Sequence, residues 1–254
     1  MTQTVTSVAD WKQLRAEFDE TGESLGLVPT MGALHAGHTS LVERSLEENA
    51  QTVVSIFVNP TQFNDATDLK NYPRTLDADI QTLERLGVDY AFVPDRDTVY
   101  PDAYRYRLVE GDVSKRLCGA HRPGHFDGVL TIVMRLLNII HPHRAYFGEK
   151  DYQQYYLIKD MIRALFMDVE IRRCPIVRDA DGVALSSRNA LLTAEGRDLA
   201  AQFATILRRG ESMEAVRSQL EERGIEVDYV EDWSGRRLAA VVIDDVRLID
   251  NVET

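Results

Sequence analysis

His35 and His38 stand three residues apart in the run Leu-Gly-Leu-Val-Pro-Thr-Met-Gly-Ala-Leu-His-Ala-Gly-His. An apolar stretch precedes them, small residues (Gly32, Ala33, Ala36, Gly37) surround them, and a helical pattern follows. Strand, glycine loop and helix start together suit a phosphate, because backbone N–H groups and the positive end of the helix dipole face the anion. Lys150 lies in a second turn of this kind, Gly148-Glu149-Lys150-Asp151, where an ammonium is a point charge for phosphate and Asp151 suits a helix cap. Ser186, Ser187 and Arg188 form a third set, two hydroxyls and a guanidinium that can clamp an anion. Taken singly, such residues are usually loop histidines, a solvated lysine and an ordinary loop; the repeated turn context favours phosphate. Zinc at His35 and His38 lacks a third ligand at suitable spacing.

Hydrophobic periodicity predicts the elements that carry these groups. Residues 25–28 predict a strand ended by Pro29, and Leu41, Val42 and Leu46 a helix starting near His38. Residues 52–58, apolar on both faces, predict a central parallel strand and so a right-handed βαβ unit. That strand runs into Asn59-Pro60-Thr61-Gln62, at the carboxyl edge where open α/β sheets bind ligands. Turn chemistry accounts for Asn59 and Pro60 but gives no reason for Gln62. Helices are predicted over 8–18 with Asp10 as N-cap, from Thr75 with Leu76, Ile80, Leu83 and Leu86 on one stripe, and over 129–140. Another follows Lys150, with Ile158, Met161, Ile162 and Leu165 on its face. A strand over 88–93, strand character over 169–177 and a hairpin turning at Asp181-Gly182 complete this part. The tail reads as helices over 200–209 and 213–223, ended by Gly210 and Gly224, then short strands over 225–230, 238–243 and 246–249. The fold class is therefore α/β: a Rossmann-like parallel sheet over 1–176 with a smaller α+β C-terminal domain over 177–254.

Composition sets the class. With 254 residues, 44% hydrophobic and 28% charged, the chain reads as a globular protein without repeats or low-complexity segments. A net charge of −12 argues against a nucleic-acid surface. No apolar run approaches the roughly 20 residues of a membrane helix, and residues 1–10 do not resemble a signal peptide. Cys118 and Cys174 have no metal or redox spacing and read as reduced and structural, so the cytoplasm is expected.

His35-Ala36-Gly37-His38 resembles the HIGH signature of the nucleotidyl-transferring superfamily that includes class I aminoacyl-tRNA synthetases. The longer string Pro-Thr-Met-Gly-Ala-Leu-His-x-Gly-His resembles the pantothenate synthetase (pantoate–β-alanine ligase) family. Phe-Val-Asn-Pro-x-Gln-Phe, Tyr72-Pro-Arg-Thr, Arg122-Pro-Gly-His-Phe-Asp-Gly, Gly148-Glu-Lys-Asp-x-Gln-Gln, Ser186-Ser-Arg-Asn and Arg247-Leu-Ile-Asp-Asn fit the same family. The stretch before the last string looks shorter than the family's. The resemblance implies ATP-dependent condensation of pantoate with β-alanine through a pantoyl adenylate, in a homodimer. It implies ATP contacts at Met31, Gly32, Ala33, Leu34, His35, Ala36, Gly37, His38, Gly148, Glu149, Lys150, Asp151, Val177, Leu185, Ser186, Ser187 and Arg188. His38 is implied as proton donor, and Lys150 with Ser186, Ser187 and Arg188 as the holders of the departing phosphates. Gln62 is implied to hold pantoate and β-alanine, Gln154 pantoate, and Asn59 is grouped with them. Arg122 and His125 read as lid or surface residues, and Tyr72 as packing. Mg²⁺ is expected to travel with ATP, bound mainly by phosphate oxygens and water. The alternatives are an adenylyltransferase acting on another small substrate, which has no need of the glutamine pair, and a nucleotide sensor without turnover.

Overall fold

The computed structural model describes residues 1–209 and 211–254, so the expected helix stop at Gly210 lies outside the described residues. Two compact units emerge, one of residues 1–34, 38–148 and 153–174, the other of 35–37, 149–152 and 175–254. The second unit thus takes in two short segments besides the tail after residue 174.

In the first unit, β1 (Gln3–Val5), β2 (Leu25–Thr30), β3 (Gln51–Ile56), β4 (Tyr90–Phe92), β5 (Arg144–Gly148) and β6 (Glu170–Cys174) form one sheet in the order β1-β4-β3-β2-β5-β6. Every neighbouring pair is parallel. The order reverses between β2 and β5, and such a switch point opens a crevice at the carboxyl ends of the strands. The helices are α1 (Val8–Thr21), α2 (Ala36–Glu48), α3 (Ala66–Asn71), α4 (Leu76–Leu86), α5 (Arg96–Val99), α6 (Cys118–His121), α7 (His125–Ile140) and α8 (Tyr152–Ala164). Val28, Val42, Val54, Leu83, Ala91 and Tyr146 are wholly buried between sheet and helices, as the two-faced apolar strands require.

β2 does not stop at Pro29. Thr30 accepts from the Phe57 N–H on the β3 side, so Pro29 faces β5, where pairing has already ended at Leu27. The missing N–H therefore breaks no ladder bond. Ser7, not Asp10, caps α1, its hydroxyl accepting from the Asp10 N–H. On α4, Leu76 is exposed and Asp79 takes an inward place beside Leu83. Leu165 lies beyond the end of α8 and is exposed.

In the second unit, α9 (Ala194–Leu207) and α10 (Met213–Glu221) pack on an antiparallel sheet of β7 (Glu226–Trp233), β8 (Arg236–Ile243) and β9 (Val246–Glu253). Phe203, Leu207, Leu220 and Val241 anchor its core. The strands outrun the sequence expectation because both hairpins turn in two residues. Ser234 and Gly235 have φ of 53° and 77°, Asp244 and Asp245 of 53° and 60°, the left-handed pairs that match strand twist. Such turns also make a full three-stranded meander from a short stretch. The expected hairpin before Ser186 is a single bridge, Arg178 to Ala184. Among the described residues no helix is long and apolar enough to cross a membrane.

Candidate active site

In the first unit the turn after β2 is built by an unexpected residue. Gly32 and Ala33 are both left-handed, at φ 78° and 51°. The buried Asp79 carboxylate holds them there, accepting from the Ala33 N–H at 3.0 Å, the Leu34 N–H at 2.8 Å and the Thr75 hydroxyl at 3.1 Å. The Gly32 N–H donates to the Thr30 hydroxyl. These amides therefore already have protein acceptors. His38 follows the loop, in the first turn of α2. Asp79 left one trace in the sequence, an acid on the apolar stripe of α4.

Gln62 sits on the carboxyl side of β3, in the 3-10 turn Pro60–Gln62. Its side-chain oxygen accepts from Asn59 Nδ2 at 2.9 Å. Asn59 itself is 1% exposed; its Nδ2 also donates to the Gly128 carbonyl, and its Oδ1 accepts from the Tyr100 and Thr61 hydroxyls. The Gly128 carbonyl, which can only accept, and the Thr61 backbone N–H, which can only donate, fix which end of the Asn59 amide is oxygen, and this directs Gln62 Oε1 inward and leaves Gln62 Nε2 as the group on offer. Asn59, grouped with the substrate contacts by sequence, is fully engaged with protein and orients Gln62. Burial pushes the Tyr100 phenol up to about 12, so it is a neutral donor at physiological pH.

The Gln62 backbone is held as well. His125 Nδ1 lies 2.7 Å and Arg122 Nη2 3.2 Å from its carbonyl, and Arg122 Nη1 meets His125 Nε2 at 3.2 Å. A guanidinium only donates, so Nε2 accepts and Nδ1–H donates to the carbonyl. His125 is buried, so this pair is no surface feature. Helix α7 comes so close at Gly128 that a Cβ there would lie 2.7 Å from the Gln62 nitrogen. Gln154, in the first turn of α8, is half-buried, whereas its neighbour Gln153 is tied to residues 113–118 by three hydrogen bonds. Tyr72 packs edge-on against Phe63. Met31 and Gly148 close the ends of β2 and β5 on the same side of the sheet.

The second unit gathers the remaining candidates. His35 Nδ1 accepts the Gly37 N–H at 3.1 Å, and a Cβ on Gly37 would lie 2.9 Å from the ring, so any other residue there would push the ring aside. Burial and the Lys150 ammonium push the His35 imidazole down to about 4, against a smaller upward pull from Asp151. At neutral pH the ring is uncharged, with its hydrogen on Nε2. Glu149, Lys150 and Asp151 form a 3-10 turn ahead of α8. Lys150 Nζ lies 3.9 Å from Asp151 and is 21% exposed. Val177 and Leu185 join by one backbone bond, and Leu185 Cβ would meet a Gly37 Cβ at 3.7 Å. Ser186 caps the following 3-10 turn, accepting from the Arg188 N–H, and Ser187 and Arg188 are half-buried within that turn. Ala36 lies between His35 and Gly37 in the same unit.

The sequence profile of the pantoate-beta-alanine ligase family matches residues 3–253. A pantothenate synthetase from Legionella pneumophila is 54% identical over 228 residues, 90% of each chain. One from Coxiella burnetii is 49% identical over 252 residues, 99% of this chain and 97% of its own. The crystal structure of a Francisella tularensis pantoate-beta-alanine ligase, complexed with beta-gamma ATP and beta-alanine, superposes with a TM-score of 0.94 at 39% identity, covering 100% of this chain and 98% of its own. A Thermus thermophilus pantothenate synthetase gives 0.89 at 40% identity, with 99% of each chain covered. With one profile spanning nearly every residue and relatives this similar over their full length, the chain belongs to the pantoate–β-alanine ligase family.

Proposed function

We propose that this ligase condenses (R)-pantoate with β-alanine in two steps. The pantoate carboxylate first attacks the α-phosphorus of ATP, the bond to the bridging oxygen breaks, and pyrophosphate leaves. The β-alanine amine then attacks the acyl carbon of pantoyl adenylate, loses a proton, and AMP departs. The observation that carries the reading is the fixed amide of Gln62. It presents Nε2 at the carboxyl edge of the sheet, where a substrate carboxylate or hydroxyl needs a donor. Gln154 supplies a second amide for pantoate.

Lys150 faces the departing pyrophosphate as a point charge, with Ser186, Ser187 and Arg188 as further donors. These groups act mostly on charge that grows in the transition state. Neutral His35 gives one N–H to phosphate without adding charge, and His38 is the proton donor. Among the described residues no three His, Cys, Asp or Glu side chains gather to hold a metal. Mg²⁺ accompanying ATP would rest mainly on phosphate oxygens and water. The same reading makes the protein a cytoplasmic homodimer that binds neither nucleic acid nor membrane. Product analysis tests the chemistry: protein with ATP, Mg²⁺, pantoate and β-alanine yields pantothenate, AMP and pyrophosphate in equal amounts. ADP in place of AMP would overturn it.

A further inference from the structure

We propose that Asn251 and Arg236, on β9 and β8, are positioning residues for Lys150. The proposal rests on the reading of Lys150 as the pyrophosphate clamp. Asn251 is 1% exposed. Its Nδ2 donates to two successive carbonyls, Glu149 at 2.9 Å and Lys150 at 3.1 Å. Its Oδ1 accepts from Arg236 Nε at 2.5 Å. One amide holding these two carbonyls fixes the two peptide planes that meet at the Lys150 Cα, from which the side chain departs. A small rotation there is magnified along the four-carbon stem to the ammonium.

Arg236, 6% exposed, supports the turn from beside it. Its guanidinium lies 3.6 Å from the Glu149 carboxylate and 3.2 Å from Glu253, and stacks over the Tyr152 ring at 5.1 Å. The Tyr152 hydroxyl donates to the Ser234 carbonyl. The Asn251 N–H donates to Asp250, itself gripped at both oxygens by Arg178. The turn carrying Lys150 is therefore gripped through its carbonyls, its Glu149 carboxylate and its Tyr152 ring, all by side chains or backbone of the small sheet. Buried polar groups this fully paired hold one geometry, since any slip leaves a partner unsatisfied. Neither residue touches the reacting atoms in this account; each acts through Lys150.

The test measures pantoate-dependent ATP–pyrophosphate exchange in the full-length protein. Asn251→Asp keeps the shape but turns an oxygen toward the two carbonyls, and Arg236→Lys keeps the charge but loses the Nε donor. Asn251→Asp should lower exchange about tenfold or more, since misplacement of a positioning group by about 1 Å can cost up to a hundredfold. Arg236→Lys should lower it several-fold. The reaction of preformed pantoyl adenylate with β-alanine should be unchanged in both. In a Lys150→Ala background neither substitution should lower exchange further, because the group they position is gone. Equal losses with and without Lys150 would overturn the proposal and leave the clamp intact. A silent Lys150→Ala would remove the clamp and the proposal with it. If Asn251→Asp does not fold, Arg236→Lys alone and with Lys150→Ala gives the same decision.

Discussion

Asp79→Asn tests the construction of the turn after β2. The carboxylate receives two backbone N–H groups and a hydroxyl while buried. The amide keeps one oxygen and turns an NH2 toward one of the donors. One charge-assisted bond, worth about 1.5–3 kcal/mol, becomes a donor–donor contact, and the other falls to a neutral bond of about 1 kcal/mol. The total is about 3 kcal/mol. If the turn stays in place, the loss appears as stability, about 6–12 °C in Tm at roughly 2–4 °C per kcal/mol. If the turn releases instead, Tm moves less and adenylation slows, because Gly32 and Ala33 leave their left-handed conformations and the approach to His38 changes. Differential scanning calorimetry and pyrophosphate exchange on one preparation read both routes. Thr75→Ala, which removes only the hydroxyl bond and leaves both backbone bonds in place, should cost less than Asp79→Asn, about 1.5 kcal/mol, and serves as the control. An Asp79→Asn protein with unchanged Tm and unchanged exchange refutes the reasoning.

Lys150→Ala should slow adenylate formation about a hundredfold or more, the cost of losing one donor to developing charge, with thermal unfolding nearly unchanged. His35 should titrate near pH 4 by NMR with the Nε2–H tautomer at pH 7, and its midpoint should rise in Lys150→Ala; an unmoved midpoint would mean the two groups do not interact. Because its folded value of about 4 lies below the ordinary 6.5, the unfolded chain takes up that proton first, so the stability His35 contributes is complete above 6.5 and declines as pH falls toward 4. Gly128→Ala should force α7 away from the Gln62 turn, costing about 1–3 kcal/mol of stability and raising KM for pantoate more than KM for ATP; equal KM values would show that the close approach does not position Gln62.

The pattern of alternating strand and helix was legible because its apolar residues keep strict periods, and the β2 and β5 turns could be located from glycine and polar residues alone. Asn59, Gln62 and Lys150 could be singled out for the same reason. What holds them could not. Asp79 bonds the Leu34 amide across 45 positions of chain, and Asn251 bonds Lys150 across 101, so no local pattern records either contact. β1 escaped notice because three residues carry too little alternation. Pro29 looked like a strand end because its harmlessness depends on β5 being unpaired at that level, a fact of register rather than of sequence. Arg122 and His125 read as lid or surface because a charged residue in a glycine turn normally is, and only the fold brings the Gln62 carbonyl to them.

The central claim is an adenylate formed before the amine is needed. Pantoate alone, with ATP, Mg²⁺ and labelled pyrophosphate, should therefore support label exchange into ATP, and a pantoate analogue lacking the 2-hydroxyl should support it far more poorly, because the half-buried Gln62 amide is left without a partner. Exchange that begins only when β-alanine is added would contradict the two-step account.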